Sequence, residues 1–108
     1  MSKLEINSDE SNVTLINVLS VTEGNQEKLL KILKDGAENI MANQSGYLGS
    51  SILKSLDGKT VTVYAKWESG KHIGAVMGKP EMADYLESMK GIATASPGVY
   101  AVSHVHKI

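Results

Sequence analysis

The chain has 108 residues, and its 11 Lys and Arg against 12 Asp and Glu give a formal charge of −1. This length fits one small domain, and the balanced charge without a basic stripe argues against nucleic acid as a partner. No apolar run approaches the roughly 20 residues of a membrane-spanning helix, and the N-terminus lacks the features of a signal peptide, so we expect a cytoplasmic protein without membrane contact. The absence of Cys excludes disulfides and thiolate chemistry.

The N-terminal residues 1–12 are polar and poor in apolar anchors, which predicts a flexible arm before a domain of residues 13–108. From Val13 to Val21, alternating polarity predicts the first strand. One face of that strand carries Val13, Leu15, Asn17, Leu19 and Val21.

A helix follows, with Thr22 as the candidate N-cap and apolar residues at three- and four-residue spacings until about Asn43. The next segment, Tyr47 to Ser55, predicts a second strand. The dipeptide Asp57-Gly58 is typical of a tight hairpin, which leads into a third strand from Thr60 to Trp67.

Helical spacing returns from Ser69, is interrupted at Gly78-Lys79-Pro80, and resumes from Met82 to Ile92, which predicts two short helical pieces. A last strand, rich in Val and Tyr, is predicted after Ser96-Pro97-Gly98, from Val99 to about His106.

The order of these elements is βαββαβ, which predicts an α+β, ferredoxin-like domain with a four-stranded antiparallel sheet and the helices on one face. In the first strand, apolar residues occupy both faces: Ile16 and Val18 on one, Leu15 and Leu19 on the other. The face without helices therefore needs cover, and we expect it from a second copy of the chain in a homodimer.

A family resemblance depends on several stretches that occur in a characteristic order. They are Gln44–Leu48, Ser55–Gly58 and Tyr64–Ser69 in the middle, with Ile16–Val18 and Val99–His106 near the ends. Together they cover nearly all of residues 13–106, and in this set the chain resembles the antibiotic biosynthesis monooxygenase family.

The resemblance implies a dimeric α/β barrel and an oxidoreductase activity. Members of that family include small enzymes that use O2 to oxidise anthrone-like polyketides or quinols to quinones without metal or flavin. An ionised phenol is itself able to reduce oxygen, so an apolar cleft with a few hydrogen-bond donors is a sufficient site. The resemblance therefore implies a flat aromatic substrate, O2 as co-substrate and no cofactor.

The chain departs from the family pattern at three places. Val63 stands where family enzymes that oxidise anthrones often have Asn, Lys54 stands in place of a His, and the region around Tyr85 lacks an Arg. These departures favour, as an alternative, a non-catalytic dimeric module that binds a small ligand. A haem-degrading monooxygenase is a further alternative, because Asn17 matches that pattern, although residues 81–93 contain no His to ligate iron.

The candidate catalytic residues are Asn17 and Trp67, each of which offers a hydrogen-bond donor from a strand. For Asn17 the structural alternative is a hydrogen bond to neighbouring backbone, and for Trp67 it is ordinary burial in the sheet. The candidate substrate-binding residues are Tyr47, Val63, Met77, Tyr85, Met89 and His104. The three His lack carboxylates at matching spacing, so we predict no metal site.

Overall fold

The computed structural model describes residues 12–108, so residues 1–11 of the predicted arm lie outside it. The elements in chain order are β1 (Val13–Val21), α1 (Gln26–Asn39), a 3₁₀ turn (Met41–Asn43), β2 (Tyr47–Lys54), β3 (Thr60–Trp67), α2 (Gly70–Met77), α3 (Pro80–Glu87) and β4 (Ala93–Tyr100). None of the helices in this part of the chain has the length and apolar character that a bilayer crossing requires.

The four strands form one antiparallel sheet in the order β2-β3-β1-β4. Helix α1 packs on the sheet through Leu29 and Leu33, which join Leu19, Val61 and Met89 in the main core. A second cluster places Val76 of α2 against Trp67 of β3. The predicted ferredoxin-like α+β fold with helices on one sheet face is confirmed.

The faces of β1 and β3 follow the predicted alternation. Leu19, Val61 and Trp67 are buried on the helix-covered face, whereas Val18 on the other face is 40% exposed. The hairpin is also confirmed: Ser55 N–H donates to the Thr60 carbonyl, and the turn between them contains Gly58 at φ +77°. A left-handed turn position of this kind favours glycine.

The predicted N-cap of α1 is wrong. The helix begins at Gln26, four residues beyond Thr22, with Asn25 at its cap position. The Thr22 hydroxyl instead donates to the Ile92 carbonyl over 3.1 Å and accepts a hydrogen bond from Asn25 Nδ2 over 2.7 Å. Thr22 thus ties the end of β1 to the segment before β4 rather than capping the helix.

The predicted bounds of the last strand are also wrong. Strand β4 already begins at Ala93, runs through Pro97 and ends at Tyr100, while residues 101–108 form neither strand nor helix. Pro97 lacks the backbone N–H that a central strand needs. Strand β4 lies at the sheet edge, where one side of a strand has no partner in the sheet and Pro is tolerated.

Gly36 of α1 is buried directly beneath the ring of Tyr85 from α3, so closely that a Cβ at residue 36 would overlap the ring. Alanine in place of glycine normally stabilises a helix interior by about 1 kcal/mol. Here the overlap should outweigh this gain, because overpacking a core costs about 1–3 kcal/mol. We therefore expect Gly36→Ala to lower the free energy of unfolding, measured by urea denaturation.

The matched control is the same substitution in a Tyr85→Ala background. With the ring removed, Gly36→Ala should stabilise the protein by about 1 kcal/mol, as in an ordinary helix. A stabilising effect of Gly36→Ala in both backgrounds would contradict the packing described here.

Candidate functional site

A cavity of about 90 Å3 lies between the sheet and the helices α1 and α3. Its walls are mainly aliphatic, aromatic and thioether groups, with a few polar atoms among them. The lining residues are Leu15, Asn17, Leu33, Ala37, Met41, Tyr47, Ser50, Ile52, Val63, Ala65, Trp67, Met82, Tyr85, Leu86 and Met89. An apolar cavity with a small number of convergent polar groups is the usual form of a small-molecule site. We call it the inner cavity.

Six of the eight residues proposed from the sequence line the inner cavity, namely Asn17, Tyr47, Val63, Trp67, Tyr85 and Met89. The other two do not reach it. Met77 ends α2 with 51% of its surface exposed, and His104 is exposed in the stretch after β4. Neither residue lines the inner cavity, so the substrate-binding roles of Met77 and His104 stay predictions.

Trp67 ends β3, and its indole is only 2% exposed. Its ring packs edge-on against Tyr47 at a centroid distance of 5.4 Å and an interplanar angle of 70°. The indole Nε1–H is buried and has no hydrogen-bond partner among residues 12–108. A buried donor without an acceptor is costly, at about 1–3 kcal/mol, and calls for an explanation such as a role in binding.

Asn17 lies at the centre of β1, between Val63 of β3 and Pro97 of the edge strand β4. Its Oδ1 accepts the backbone N–H of Ser96 at 3.1 Å. This bond fixes which end of the amide is oxygen, because only the oxygen accepts a hydrogen bond. The Nδ2 donor of Asn17 forms no hydrogen bond within residues 12–108. The backbone contact foreseen as the structural alternative is therefore present, and it still leaves the donor available to a ligand.

Asn17 and Trp67 occupy different parts of the cavity. Asn17 is paired with Val63, and Trp67 follows Val63 by four residues on the same face of β3. At about 3.3 Å per residue, the two positions are about 13 Å apart along the strand. A flat substrate that spans the cavity would therefore meet the two donors at different edges.

Ser50 is a polar lining residue that the sequence reasoning missed. Its hydroxyl is hydrogen-bonded to the Tyr47 hydroxyl at 2.6 Å. Regular alternation from Tyr47 would point Ser50 to the opposite face, but a bulge between Tyr47 and Gly49 shifts the register and brings both side chains to the cavity. Counting backwards from the apolar Ile52 by two residues would have identified Ser50.

Tyr85 is a further residue of the cavity wall that carries a hydroxyl. Burial, with a smaller contribution from Tyr47, raises the pKa of Tyr85 to about 12. The phenol therefore stays protonated near neutral pH and is not a base there. The lining residues include no Asp, Glu, Lys, Arg or His, so the polar groups that this cavity offers a ligand are neutral.

His72 lies outside the cavity, near the start of α2. Its Nδ1 is 2.8 Å from the hydroxyl of Ser69, the N-cap residue of the helix, and its ring packs over Gly46. No imidazole thus faces the inner cavity, and helix α3 contains no His. The requirement for an iron-ligating His on this helix is not met.

Comparison of the sequence with known families gives a match to the antibiotic biosynthesis monooxygenase family over residues 12–88. This range covers most of the chain and includes β1 through α3, and the chain belongs to this family. No protein with a curated description matches the sequence.

Solved structures share the fold at low sequence identity. SnoaB from Streptomyces nogalater, a cofactor-independent oxygenase, is 17% identical with a TM-score of 0.80, over 88% of this chain and 96% of that protein. A candidate antibiotic biosynthesis monooxygenase from Deinococcus radiodurans is 14% identical with a TM-score of 0.74, over 89% of this chain and 97% of that protein. A further candidate antibiotic biosynthesis monooxygenase, from Chloroflexus aurantiacus, is 20% identical with a TM-score of 0.72, over 91% of this chain and 99% of that protein.

Proposed function

We propose that this protein is a cofactor-independent monooxygenase that uses O2 to oxidise a flat phenolic, anthrone-like or quinol substrate to a quinone. The observation that carries the proposal is that Trp67 and Asn17, each with a donor that has no partner among residues 12–108, both line the mainly apolar inner cavity. Membership of the monooxygenase family and the shared fold of SnoaB support the same chemistry.

The substrate supplies the electrons in this proposal. Loss of the phenolic proton to water gives an electron-rich anion, which reduces O2. One oxygen atom bonds to a ring carbon, which loses its hydrogen, and the O–O bond breaks so that the second oxygen takes up this hydrogen and the released proton and leaves as water. A phenol or anthrone becomes a quinone in this way, and a quinol becomes a hydroxyquinone. Burial alone would disfavour the anion, because a charge is costly in an apolar cavity. The two neutral donors counter that cost, since donors aimed at developing negative charge act strongly where water is excluded.

The activity test is to incubate the purified protein in air with hydroquinone, 1,4-dihydroxynaphthalene or anthrone, in the presence of a chelator. Quinone absorbance and oxygen uptake are compared with a protein-free blank. Chelator-resistant turnover above the blank on at least one substrate supports the proposal. Ligand binding without turnover on any of them favours instead the non-catalytic ligand-binding module, which Val63 and the lack of a base in the cavity also suit.

The proposal includes a homodimer formed through the sheet face that the helices leave uncovered. On this face Val18 is 40% exposed, Leu53 is 52% exposed and Tyr100 is 53% exposed. Apolar side chains gathered on one sheet face are typical of protein interfaces. The sheet of a second copy, packed face to face at about 10 Å, would cover them.

A charge on this face should separate the subunits. We expect Val18→Asp to convert the dimer to a monomer in sedimentation velocity, because an unpaired carboxylate would be buried between the sheets. Leu56→Asp is the matched control, because Leu56 lies in the β2–β3 turn and is fully exposed. The Leu56→Asp variant should therefore remain a dimer. Equal sedimentation of both variants and the unmodified chain would count against this interface.

A further inference from the structure

The size of the inner cavity sets a limit on its ligand. An apolar cavity of about 150 Å3 in a protein core accommodates one benzene molecule. The inner cavity has about 90 Å3, so a single ring already requires small outward shifts of flexible side chains such as Met41, Met82 and Met89. A fused three-ring substrate is far too large for the cavity in this conformation.

A second, larger space lies directly behind one wall of the inner cavity. This outer groove, between α1 and α3, has a volume of about 490 Å3. It is lined by Ile32, Asp35, Gly36, Asn39, Ile40, Glu81, Asp84, Tyr85 and Ser88. Among the described residues, Tyr85 alone lines both spaces, so its ring is the partition between them.

The ring of Tyr85 keeps this position by packing alone. It lies over Gly36, where the absence of a side chain makes room for it; a Cβ at residue 36 would come within 2.8 Å of the phenol oxygen and closer still to the ring carbons. The hydroxyl forms no hydrogen bond within residues 12–108. No polar anchor therefore ties the partition to a neighbouring element.

We propose that Tyr85 is the size-selecting residue of this site: its ring, seated against Gly36, closes the inner cavity from the outer groove and restricts the ligand to single-ring phenols and hydroquinones. This inference rests on the function proposed above for the chemistry and narrows it: of the phenolic, anthrone-like and quinol substrates, it retains the single-ring phenols and quinols. The size selection itself is a property of binding. Removing the ring would merge the two spaces and admit fused-ring phenols.

Trp67 provides a direct readout of binding, since it is the only Trp in the chain and lines the inner cavity. The 15N-labelled protein therefore gives one indole N–H signal. Titration of that signal with phenol, 2-naphthol and 2-hydroxyanthracene yields a dissociation constant for one, two and three rings, without any need for turnover.

For the unmodified protein we expect phenol to bind at least about tenfold more tightly than 2-naphthol, and 2-hydroxyanthracene to cause no saturable shift. Tyr85→Ala should improve binding of the two larger ligands by about tenfold or more relative to phenol. Tyr85→Phe retains the ring and should keep the original order. Tyr85→Leu, which preserves apolar burial, repeats the test if the alanine variant unfolds, with folding checked by thermal melting.

Equal binding of phenol and 2-naphthol by the unmodified protein, an absence of phenol binding, or an unchanged order in Tyr85→Leu would each overturn the assignment of Tyr85. Size-selective binding without oxidation of any hydroquinone would leave the assignment standing and count against the proposed oxidation instead.

Discussion

Trp67→Phe is expected to reduce the rate of quinone formation by about 10²-fold, because a single donor to a developing oxyanion typically contributes that much. Phenylalanine keeps an aromatic ring beside Tyr47 but lacks the indole Nε1–H. That N–H has no acceptor among residues 12–108, so its removal breaks no hydrogen bond and relieves the cost of an unpaired buried donor. The smaller volume of Phe offsets this gain. We therefore expect a loss of turnover with little net change in the free energy of unfolding. Initial rates of oxygen uptake and urea denaturation measure the two effects.

Tyr64→Phe is the matched control for Trp67→Phe. Tyr64 lies on the same strand, three residues earlier, and its buried hydroxyl likewise has no hydrogen-bond partner in the part of the chain that the structure describes. It points to the opposite face of the sheet, away from the inner cavity. The control should retain full turnover. Equal rate losses in both variants would show that β3 is merely perturbed, and the proposed role of Trp67 would then be wrong.

The sequence predicted best those elements whose patterns are local. The alternation in β1 placed Asn17 with Leu15 and Leu19 on the covered face, as observed. The same reasoning separated Trp67 from Tyr64 on β3. Burial of one sheet face imposes a strict two-residue period, so a polar residue in the apolar series is already a sign of a site.

The features that the sequence analysis missed or misplaced depend on contacts between distant parts of the chain, which a local pattern does not contain. Ser50 reaches the cavity only because the bulge at Gly49 changes the register of β2. Pro97 continues β4 only because this strand has one neighbour in the sheet, and strand order is decided by long-range pairing. The Thr22 hydroxyl bonds to Ile92, which is 70 residues away in the chain, and α1 begins only after Gly24, whose φ of +82° does not fit a helix.

The role of Tyr85 in size selection was likewise beyond the sequence pattern. Its spacing in α3 predicts only that it faces inward. Its position between the inner cavity and the outer groove depends on Gly36 in α1, whose lack of a side chain makes room for the Tyr85 ring. This fit becomes visible only once the two helices are packed together. The volumes on the two sides of the ring, rather than its chemistry, indicate its function.

Asn17→Asp is expected to reduce turnover by about 10²-fold while preserving the attachment of β4. The substitution removes the Nδ2 donor proposed to contact the substrate but keeps an oxygen that accepts the N–H of Ser96. The other oxygen, however, replaces the Nδ2 donor with negative charge, which repels a phenolate instead of stabilising it. Asn17→Ala removes both roles, so it should lose turnover and also about 1 kcal/mol of unfolding free energy.

Comparison of the two Asn17 variants separates catalysis from structure, and Asn25→Asp controls for the added charge. Asn25 occupies the N-cap position of α1, outside the inner cavity, where Asp is well tolerated. The control should therefore keep its turnover. If Asn17→Asp oxidised the substrate as fast as Asn25→Asp, the Nδ2 donor would have no part in the reaction. Asn17 would then serve only to hold the edge strand beside Pro97, where the backbone offers no N–H of its own.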